Sequence, residues 1–503
     1  MRPNGLPRRA VTARARRGLG RAFAVVAALA VVAGGCSRTA TPVSDDVYRG
    51  PVLSGAANPL GAKWDWPRVN TYGPYLRLLS GGATWQEAVW CQLEPRPGVW
   101  QWTALDDIVA SSQRLGFQLD IKLRTGSCWA TGGKGGHARG LNGQRTASAP
   151  PTDQAQYVNF VTQVVDRYRG QGVRTWAIEN EPNTVVTWNA TAAAYGQLVR
   201  AAAQVIRAQQ SDAVILDGGI SSTGWGTAVA QHLLDLGQAG AAVAAWNSYF
   251  DRRQSTRSND FPPVSNAASL ARALRGTQPA RDLQFLAVTK SLIDDGVVDA
   301  LQVHFYEAWT NVGPLMATAR ALAGPLIPIQ VWEAGRFYPD APAGDPAAAA
   351  ETVKTTVLLL AAGATRVIWL PLLPDSGGQQ ADAPRSGLVT SSGAAVSAGT
   401  AFAALVPATT GAQATLVPGS GGAGGGTAGG GAGGGGIEGV RFVRPGGTTF
   451  VVWASGTAAV IPGGAPAGAQ VTDLSGARVA WPARGLTVGS SPVFIEVATG
   501  ASL

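Results

Sequence analysis

Two acidic residues stand where an apolar strand pattern stops. Trp176-Ala177-Ile178 runs into Glu179-Asn180-Glu181-Pro182-Asn183, and Pro328-Ile329-Gln330-Val331-Trp332 runs into Glu333-Ala334-Gly335. Acids are rare at the ends of apolar strands unless they are used. Pro182 cannot continue a central strand, so the chain turns at the carboxylate. Two carboxyl groups converging on one pocket are the minimum machinery for cleaving a glycosidic bond. One, protonated, donates to the leaving oxygen; the other, ionised, attacks the anomeric carbon. Proximity pushes their pKa values apart, because like charges resist joint ionisation. Glu181 is preferred to Glu179 as the first acid because Pro182 fixes the chain end beside it. Glu307 is the next carboxylate near the same strand ends.

Such groups meet only if the fold brings several strand ends to one rim. Short apolar runs at 75–79, 87–92, 118–123, 175–178, 214–216, 300–304, 327–332 and 367–370 read as strands. Helix-like stretches separate most of them: 102–115, 157–168, 191–206 and 347–362 carry apolar residues at helical spacing. This alternation predicts an α/β fold, a (β/α)8 TIM barrel over residues 57–406, with a doubly wound open sheet as the alternative. A barrel places Glu181 at the end of strand four and Glu333 at the end of strand seven, on the face where barrel active sites lie. After residue 406 short alternating runs predict a C-terminal all-β sandwich over 407–503, with strands at 413–418, 440–443, 450–453, 470–474, 479–481 and 493–497. Residues 419–436 hold thirteen glycines and read as a mobile loop within that domain.

With these residues in order, the chain resembles a clan A glycoside hydrolase. Asn180-Glu181-Pro182 is similar to that clan's acid/base motif after strand four, and Glu333 to its nucleophile after strand seven. Glu94-Pro95-Arg96-Pro97-Gly98-Val99-Trp100-Gln101-Trp102 resembles the stretch that follows strand two in many members. His304-Phe305-Tyr306 matches the His-x-Tyr pattern after strand six. Trp369 falls where a sugar-stacking tryptophan often follows strand eight. Gly387-Leu388-Val389 with Gly393 resembles the stretch before the last barrel helix. The resemblance spans residues 60–405. It departs from the pattern at Trp332, where Thr or Ser usually precedes the glutamate, and at Ser127-Cys128-Trp129, where Pro-x-Trp is usual. It implies Glu181 as general acid then base, Glu333 as nucleophile with retention of configuration, Asn180 on the sugar 2-hydroxyl, and His304 and Tyr306 as groups that orient the carboxylates or the sugar.

The formal charge of +9 is concentrated at one end. Arg2, Arg8, Arg9, Arg14, Arg16, Arg17 and Arg21 lie in residues 1–35, which hold no acid, so the rest of the chain carries only +2. The charge is therefore no argument for a nucleic-acid partner. The arginines precede an apolar run from Ala22 to Ala33, short for a bilayer span, and the segment reads as a signal peptide. Its end, Val31-Val32-Ala33-Gly34-Gly35-Cys36, resembles a bacterial lipobox. The expectation is a lipoprotein signal over 1–36, lipidation of Cys36, a flexible tether over 37–56, and a membrane-anchored protein on the cell surface. Export leaves Cys91 and Cys128 in an oxidising compartment, as a disulfide or as two buried thiols.

Fourteen of the 16 tryptophans lie between Trp64 and Trp369. Apolar sugar faces stack on such rings, and Trp369, Trp129 and Trp90 are the candidate platforms. Arg124 reads as a substrate ligand or a structural ion pair. His137 and His232 take no assigned role. Three scattered histidines and three cysteines give no metal-ligand spacing, and neither a phosphate-binding loop nor a Gly-x-Ser-x-Gly elbow occurs, so no metal or cofactor is expected. The reading is an extracytoplasmic retaining glycosidase acting on a poly- or oligosaccharide. Its alternative is a catalytically silent carbohydrate-binding envelope protein on the same fold.

Overall fold

The computed structural model describes residues 47–53, 57–133, 147–257, 259–337, 345–373, 385–418 and 436–500. The signal peptide, Cys36, His137, most of the expected tether and residues 419–435 lie outside the described residues. Residues Ser44–Leu503 form one compact unit. Among the described residues no helix is long and apolar enough to cross a membrane.

Eight parallel strands form the barrel: β1 (Leu60–Ala62), β2 (Ala83–Val89), β3 (Gln118–Arg124), β4 (Thr175–Ile178), β5 (Val214–Asp217), β6 (Leu301–Phe305), β7 (Ile329–Ala334) and β8 (Ala364–Trp369). Pairing runs β2–β3–β4–β5 and β6–β7–β8–β1. The two runs meet at β1 against β2, where a Cβ on Gly61 would fall 1.9 Å from the Ala83 carbonyl oxygen. They meet again just past β5, where Ile220 bridges to Val303 in parallel. Trp85, Ala177, Leu216, Trp332 and Ile368 fill the interior. The opposite faces of the strands pack on surrounding helices, with Ile121, Leu123, Trp176, Ile178 and Ile215 fully buried.

Six of the eight expected strands lie close to their predicted positions. Residues 75–79 are a correction: they close the helix Val69–Leu76 and form the 3-10 turn Arg77–Leu79. Val69, Tyr72, Tyr75, Leu76 and Leu79 are buried at helical spacing, so the apolar run is one face of a helix. The true first strand, Leu-Gly-Ala, is too short to give a pattern. The run 87–92 is also corrected, since β2 ends at Val89 and Trp90–Leu93 turns helical. Residues 47–53, expected to belong to the tether, lie against the barrel. Tyr48 is 3% exposed, its N–H donates to Ser111 Oγ at 2.9 Å, and Arg114 donates to the carbonyls of Tyr48 and Gly50 at 3.1 and 2.7 Å. An aromatic ring in a polar stretch finds cover wherever a neighbouring helix satisfies its backbone.

The C-terminal strands are β9 (Gln413–Leu416), β10 (Ile437–Arg444), β11 (Gly447–Ala454), β12 (Ala458–Pro462), β13 (Gln470–Thr472), β14 (Gly485–Gly489) and β15 (Val493–Val497). An antiparallel sheet ordered β9-β10-β11-β15-β13 faces the pair β12-β14. Phe450, Val452, Ile461, Leu486, Val488 and Ile495 form the sandwich core. The expected strand at 479–481 is absent, and β12 and β14 supply the second layer instead. The other face of the larger sheet, with Val440, Phe442, Val451, Trp453 and Phe494, joins the core of the barrel. Lys354, on helix Pro346–Ala361, lies 4.5 Å from the ring of Trp309 and 5.2 Å from that of Trp453. Glu438 accepts the Trp453 indole N–H at 2.9 Å. Desolvation pushes the Lys354 pKa down, against the pull of Glu438 and Glu351. The sandwich therefore braces the barrel through a desolvated cation between two rings.

Candidate active site

Glu333 reaches the mouth through an irregularity in β7. Val303 pairs with Val331 but His304 with Glu333, so Trp332 has no partner on β6. Toward β8 the step is the same: Val331 pairs with Val367 and Ala334 with Trp369. Strand alternation sends Val331 to the helix layer and Trp332 into the barrel. A regular strand would then turn Glu333 outward; the extra residue re-aims it toward the mouth. The tryptophan at 332, unusual for the resembling family, fills the interior, with its N–H held by Gln330 Oε1 at 2.8 Å.

Glu181 is placed by a sharp exit from β4. Glu179 and Glu181 have φ of 69° and 43°, a left-handed conformation costly for residues with a Cβ. Backbone bonds over-determine it: Glu179 N–H donates to Leu123 O at 2.9 Å and Glu181 N–H to Gly218 O at 3.1 Å. The turn carries Glu181 to the rim, its side chain 21% exposed, while that of Glu333 is 6% exposed.

The two carboxylates and His304 converge, with one donor-type atom from each lying within 4.8 Å of the others. His304 Nδ1 lies 2.9 Å from Glu181 Oε1 and 3.5 Å from Glu333 Oε2. Its Nε2 lies 3.0 Å from Gln302 Oε1. Tyr306 OH donates to Glu333 Oε2 at 2.8 Å, and Lys122 Nζ to Glu333 Oε1 at 3.2 Å. Lys122 also donates to Asn180 Oδ1 at 2.5 Å and lies 3.9 Å from the centre of the Trp85 ring. Burial pushes the Lys122 pKa down, while Glu333 and Glu87 hold it up. As a cation site the trio is poorly suited. Glu333 already takes a donor on each oxygen, one of them an amine, and both His304 nitrogens face protein partners.

Glu181, Glu333, Asn180, His304 and Tyr306 are thus brought together as the sequence predicted. Lys122 and Gln302 were not predicted. Their signal was a polar residue on the inward face of an apolar strand: Asp120-Ile121-Lys122-Leu123-Arg124, and Gln302 two before His304.

The competing acids have structural partners. Glu179 is fully buried and accepts Thr125 N–H at 2.8 Å and Thr125 Oγ1 at 3.1 Å. Its other oxygen lies 3.5 Å from Arg124 Nε. Desolvation holds the Glu179 pKa up, opposed first by Arg124. Arg124 also donates to Glu87 at 3.0 Å, so the ion-pair reading of this arginine holds. Arg124→Met is expected to lower stability by about 3–5 kcal/mol at neutral pH, by leaving Glu179 buried without its cation. A group whose folded pKa is raised favours folding below its unfolded pKa, so the penalty grows as pH rises from about 4. Denaturant midpoints at acid and neutral pH check both statements; equal midpoints for variant and parent at neutral pH would refute the first, and an equal difference at both pH values the second. Glu307 takes two bonds from Arg253, at 3.0 and 2.7 Å, and one from Ser222 at 3.0 Å.

Two of the three expected sugar platforms are corrected. Trp90 is 0% exposed, stacked on Phe160 with its N–H on Glu94 at 2.6 Å. Trp369 is 1% exposed and packs on Phe402. Neither offers a ring face to a ligand, because each large ring buries more apolar area between strand and helix than at the rim. Trp129 is half-buried; its ring and that of Trp90 meet edge to face with centroids 5.5 Å apart, and its N–H donates to Glu94 O at 2.8 Å. Beside it Cys91 and Cys128 are bonded as a disulfide, with Cα atoms 5.6 Å apart.

No family model and no curated protein sequence matches the chain. Among solved structures, it is similar to a family 39 glycoside hydrolase from the gut symbiont Bacteroides cellulosilyticus, at 14% identity, 88% of this chain, 81% of that one and a TM-score of 0.59. It is also similar to a glucosidase from Croceicoccus marinus, at 12% identity, 91% and 98% coverage and a TM-score of 0.51. A monomeric β-xylosidase from Caulobacter crescentus matches at 11% identity, 90% and 98% coverage and a TM-score of 0.50. The matched span exceeds the barrel alone, so it takes in sandwich as well as barrel. The chain therefore has the fold of the clan A glycoside hydrolases, and at these identities the likeness is one of fold.

Proposed function

We propose that this protein is a retaining glycoside hydrolase acting outside the cytoplasm. The observation that carries the reading is the pairing of Glu181 with Glu333: an oxygen of one lies within 4.8 Å of an oxygen of the other. Carboxyl groups ~5–5.5 Å apart leave no room for a water on the far side of the sugar, so the second acts as nucleophile. In the first step Glu333 bonds to the anomeric carbon, the glycosidic C–O bond breaks, and Glu181 gives its proton to the leaving oxygen. In the second, Glu181 takes a proton from water, whose oxygen bonds to the anomeric carbon and releases Glu333. Tyr306 and Lys122 hold the two oxygens of Glu333 so that one trajectory is favoured. With its oxygen taken by Lys122, Asn180 presents its NH2 edge to the sugar 2-hydroxyl.

The substrate class is carbohydrate, a poly- or oligosaccharide. The basic, apolar N-terminal segment ending at Cys36 supports export and lipid anchoring, and the Cys91–Cys128 disulfide supports an oxidising compartment. Labelling of the mature protein with a panel of 2-deoxy-2-fluoro glycosyl fluorides, followed by peptide mapping, tests the mechanism. A single adduct on Glu333 is expected, and the sugar that reacts narrows the substrate. An adduct on another carboxylate would move the nucleophile away from Glu333; none across a broad panel on folded protein would favour a binding role or an inverting mechanism on the same fold.

A further inference from the structure

We infer that Gln302 is a positioning residue that fixes the tautomer of His304 and so keeps one transferable proton on the bond between His304 and Glu181. The inference rests on the acid/base role proposed for Glu181.

Gln302 lies in mid-β6, fully buried. Its Nε2 donates to the Asp217 carbonyl at 2.7 Å. A carbonyl only accepts, so the amide cannot be turned the other way round, and Oε1 must face His304 Nε2. An amide oxygen also only accepts. Nε2 therefore carries a hydrogen whether the imidazole is neutral or charged. The backbone packs closely on this contact: only a glycine fits at 219, where a Cβ would fall 2.9 Å from His304 Nε2 and 3.0 Å from Gln302.

The consequence falls on Nδ1. In a neutral imidazole protonated at Nε2, Nδ1 presents a lone pair. That lone pair would face Glu181 Oε1 at 2.9 Å and Glu333 Oε2 at 3.5 Å. Two acceptors at such a distance repel unless a proton lies between them. The contact therefore holds one proton, on Glu181 or on His304. The other ionisable groups facing the pair are Asp217, held by Thr289 and the Gly219 N–H; Lys122, which bonds Glu333 and Asn180; and Tyr306 on Glu333. Once the proton passes to the leaving oxygen, the lone pair again faces a carboxylate, which makes Glu181 the stronger base for taking a proton from water. An Nδ1–H tautomer would do the reverse, since it would satisfy an ionised Glu181 with no transferable proton.

The first test needs no substrate. In protein labelled with 15N-histidine, the three imidazoles are separable, and His304 is assigned by its loss in His304→Asn. A neutral His304 protonated at Nε2 or an imidazolium is expected; an Nδ1–H tautomer in the unmodified protein would overturn the inference. The second test compares Gln302→Leu with Gln302→Glu, using a β-glycoside with an alkyl or sugar aglycone that the parent protein turns over, so that the first step needs the proton of Glu181. Leucine removes the acceptor, so the alkaline limb of kcat/KM is expected to move down by about one pH unit or more. Glutamate keeps an acceptor toward Nε2 and is expected not to lower the limb. A limb unmoved in the leucine variant, or lowered equally in both, would overturn the role. Should the leucine variant fail to fold, the 15N spectra of the parent and Gln302→Glu decide. Failure of the acid/base assignment is read separately, from Glu181→Gln.

Discussion

Glu333→Ala is expected to abolish turnover, with kcat/KM lower by on the order of 10^5-fold. In the proposed mechanism the carboxylate makes and breaks a covalent bond, so its removal would take away a reaction path rather than a stabilising contact. The effect should not depend on the leaving group, because formation of the glycosyl ester is blocked however readily the aglycone departs. The variant leaves a small space flanked by Tyr306 OH and Lys122 Nζ, two donors that previously held the carboxylate. Azide added to it is expected to restore turnover of an activated β-glycoside and to give the glycosyl azide of inverted configuration, because attack comes from the side that Glu333 occupied. Product analysis by NMR separates the anomers. Full activity in Glu333→Ala, or an azide product of unchanged configuration, would remove Glu333 from the nucleophile position.

Glu181→Gln is expected to show a loss that depends on the substrate. General acid catalysis contributes about 10^2–10^4-fold, and it matters only where the leaving group needs a proton. Alkyl or sugar aglycones should lose that full factor in kcat/KM. A nitrophenyl aglycone leaves as a stable anion, so its first step should be slowed much less. The second step loses its base for every substrate, so the glycosyl–Glu333 ester should accumulate. A pre-steady-state burst of nitrophenolate, with an adduct on Glu333 by intact mass, is the expected signature. A uniform loss across leaving groups without a burst would show that Glu181 acts structurally and would reopen the choice between it and Glu179.

That choice shows how far the sequence reaches. Glu179 and Glu181 stand on the same strand exit, two residues apart, and periodicity alone places both on one face. The proline argument favoured Glu181, and the structure gives the physical basis: Glu179 is spent on Thr125 and Arg124, while Glu181 comes to the rim beside His304. Similar reasoning fails for the tryptophans. Trp90 and Trp369 stand at the right places along the chain for a sugar platform, but ring direction depends on what the next layer offers. Phe160 and Phe402 offered apolar cover. Lys122 and Gln302 were readable as polar residues on an inward face, yet nothing local said that they would meet Glu333 and His304.

By itself the sequence determined the class of the fold. Apolar runs alternating with helical stretches, six of the eight lying at true strands, require a parallel sheet closed or covered by helices, and acids where two of those runs end require a use for them. These are local properties, set by side-chain period and by the cost of leaving a carboxylate at a strand end without purpose. What the tertiary structure alone decided is which way each group points. The unpaired Trp332 in β7 turns Glu333 into the mouth; the positive φ at Glu181 lifts it to the rim; Asp217, from β5, orients the amide of Gln302 on β6 and through it the ring of His304. Each of these depends on a residue of a neighbouring strand or strand exit that is distant along the chain, such as Gly218 for Glu181 and Asp217 for Gln302, and no short window of sequence contains both members of such a pair.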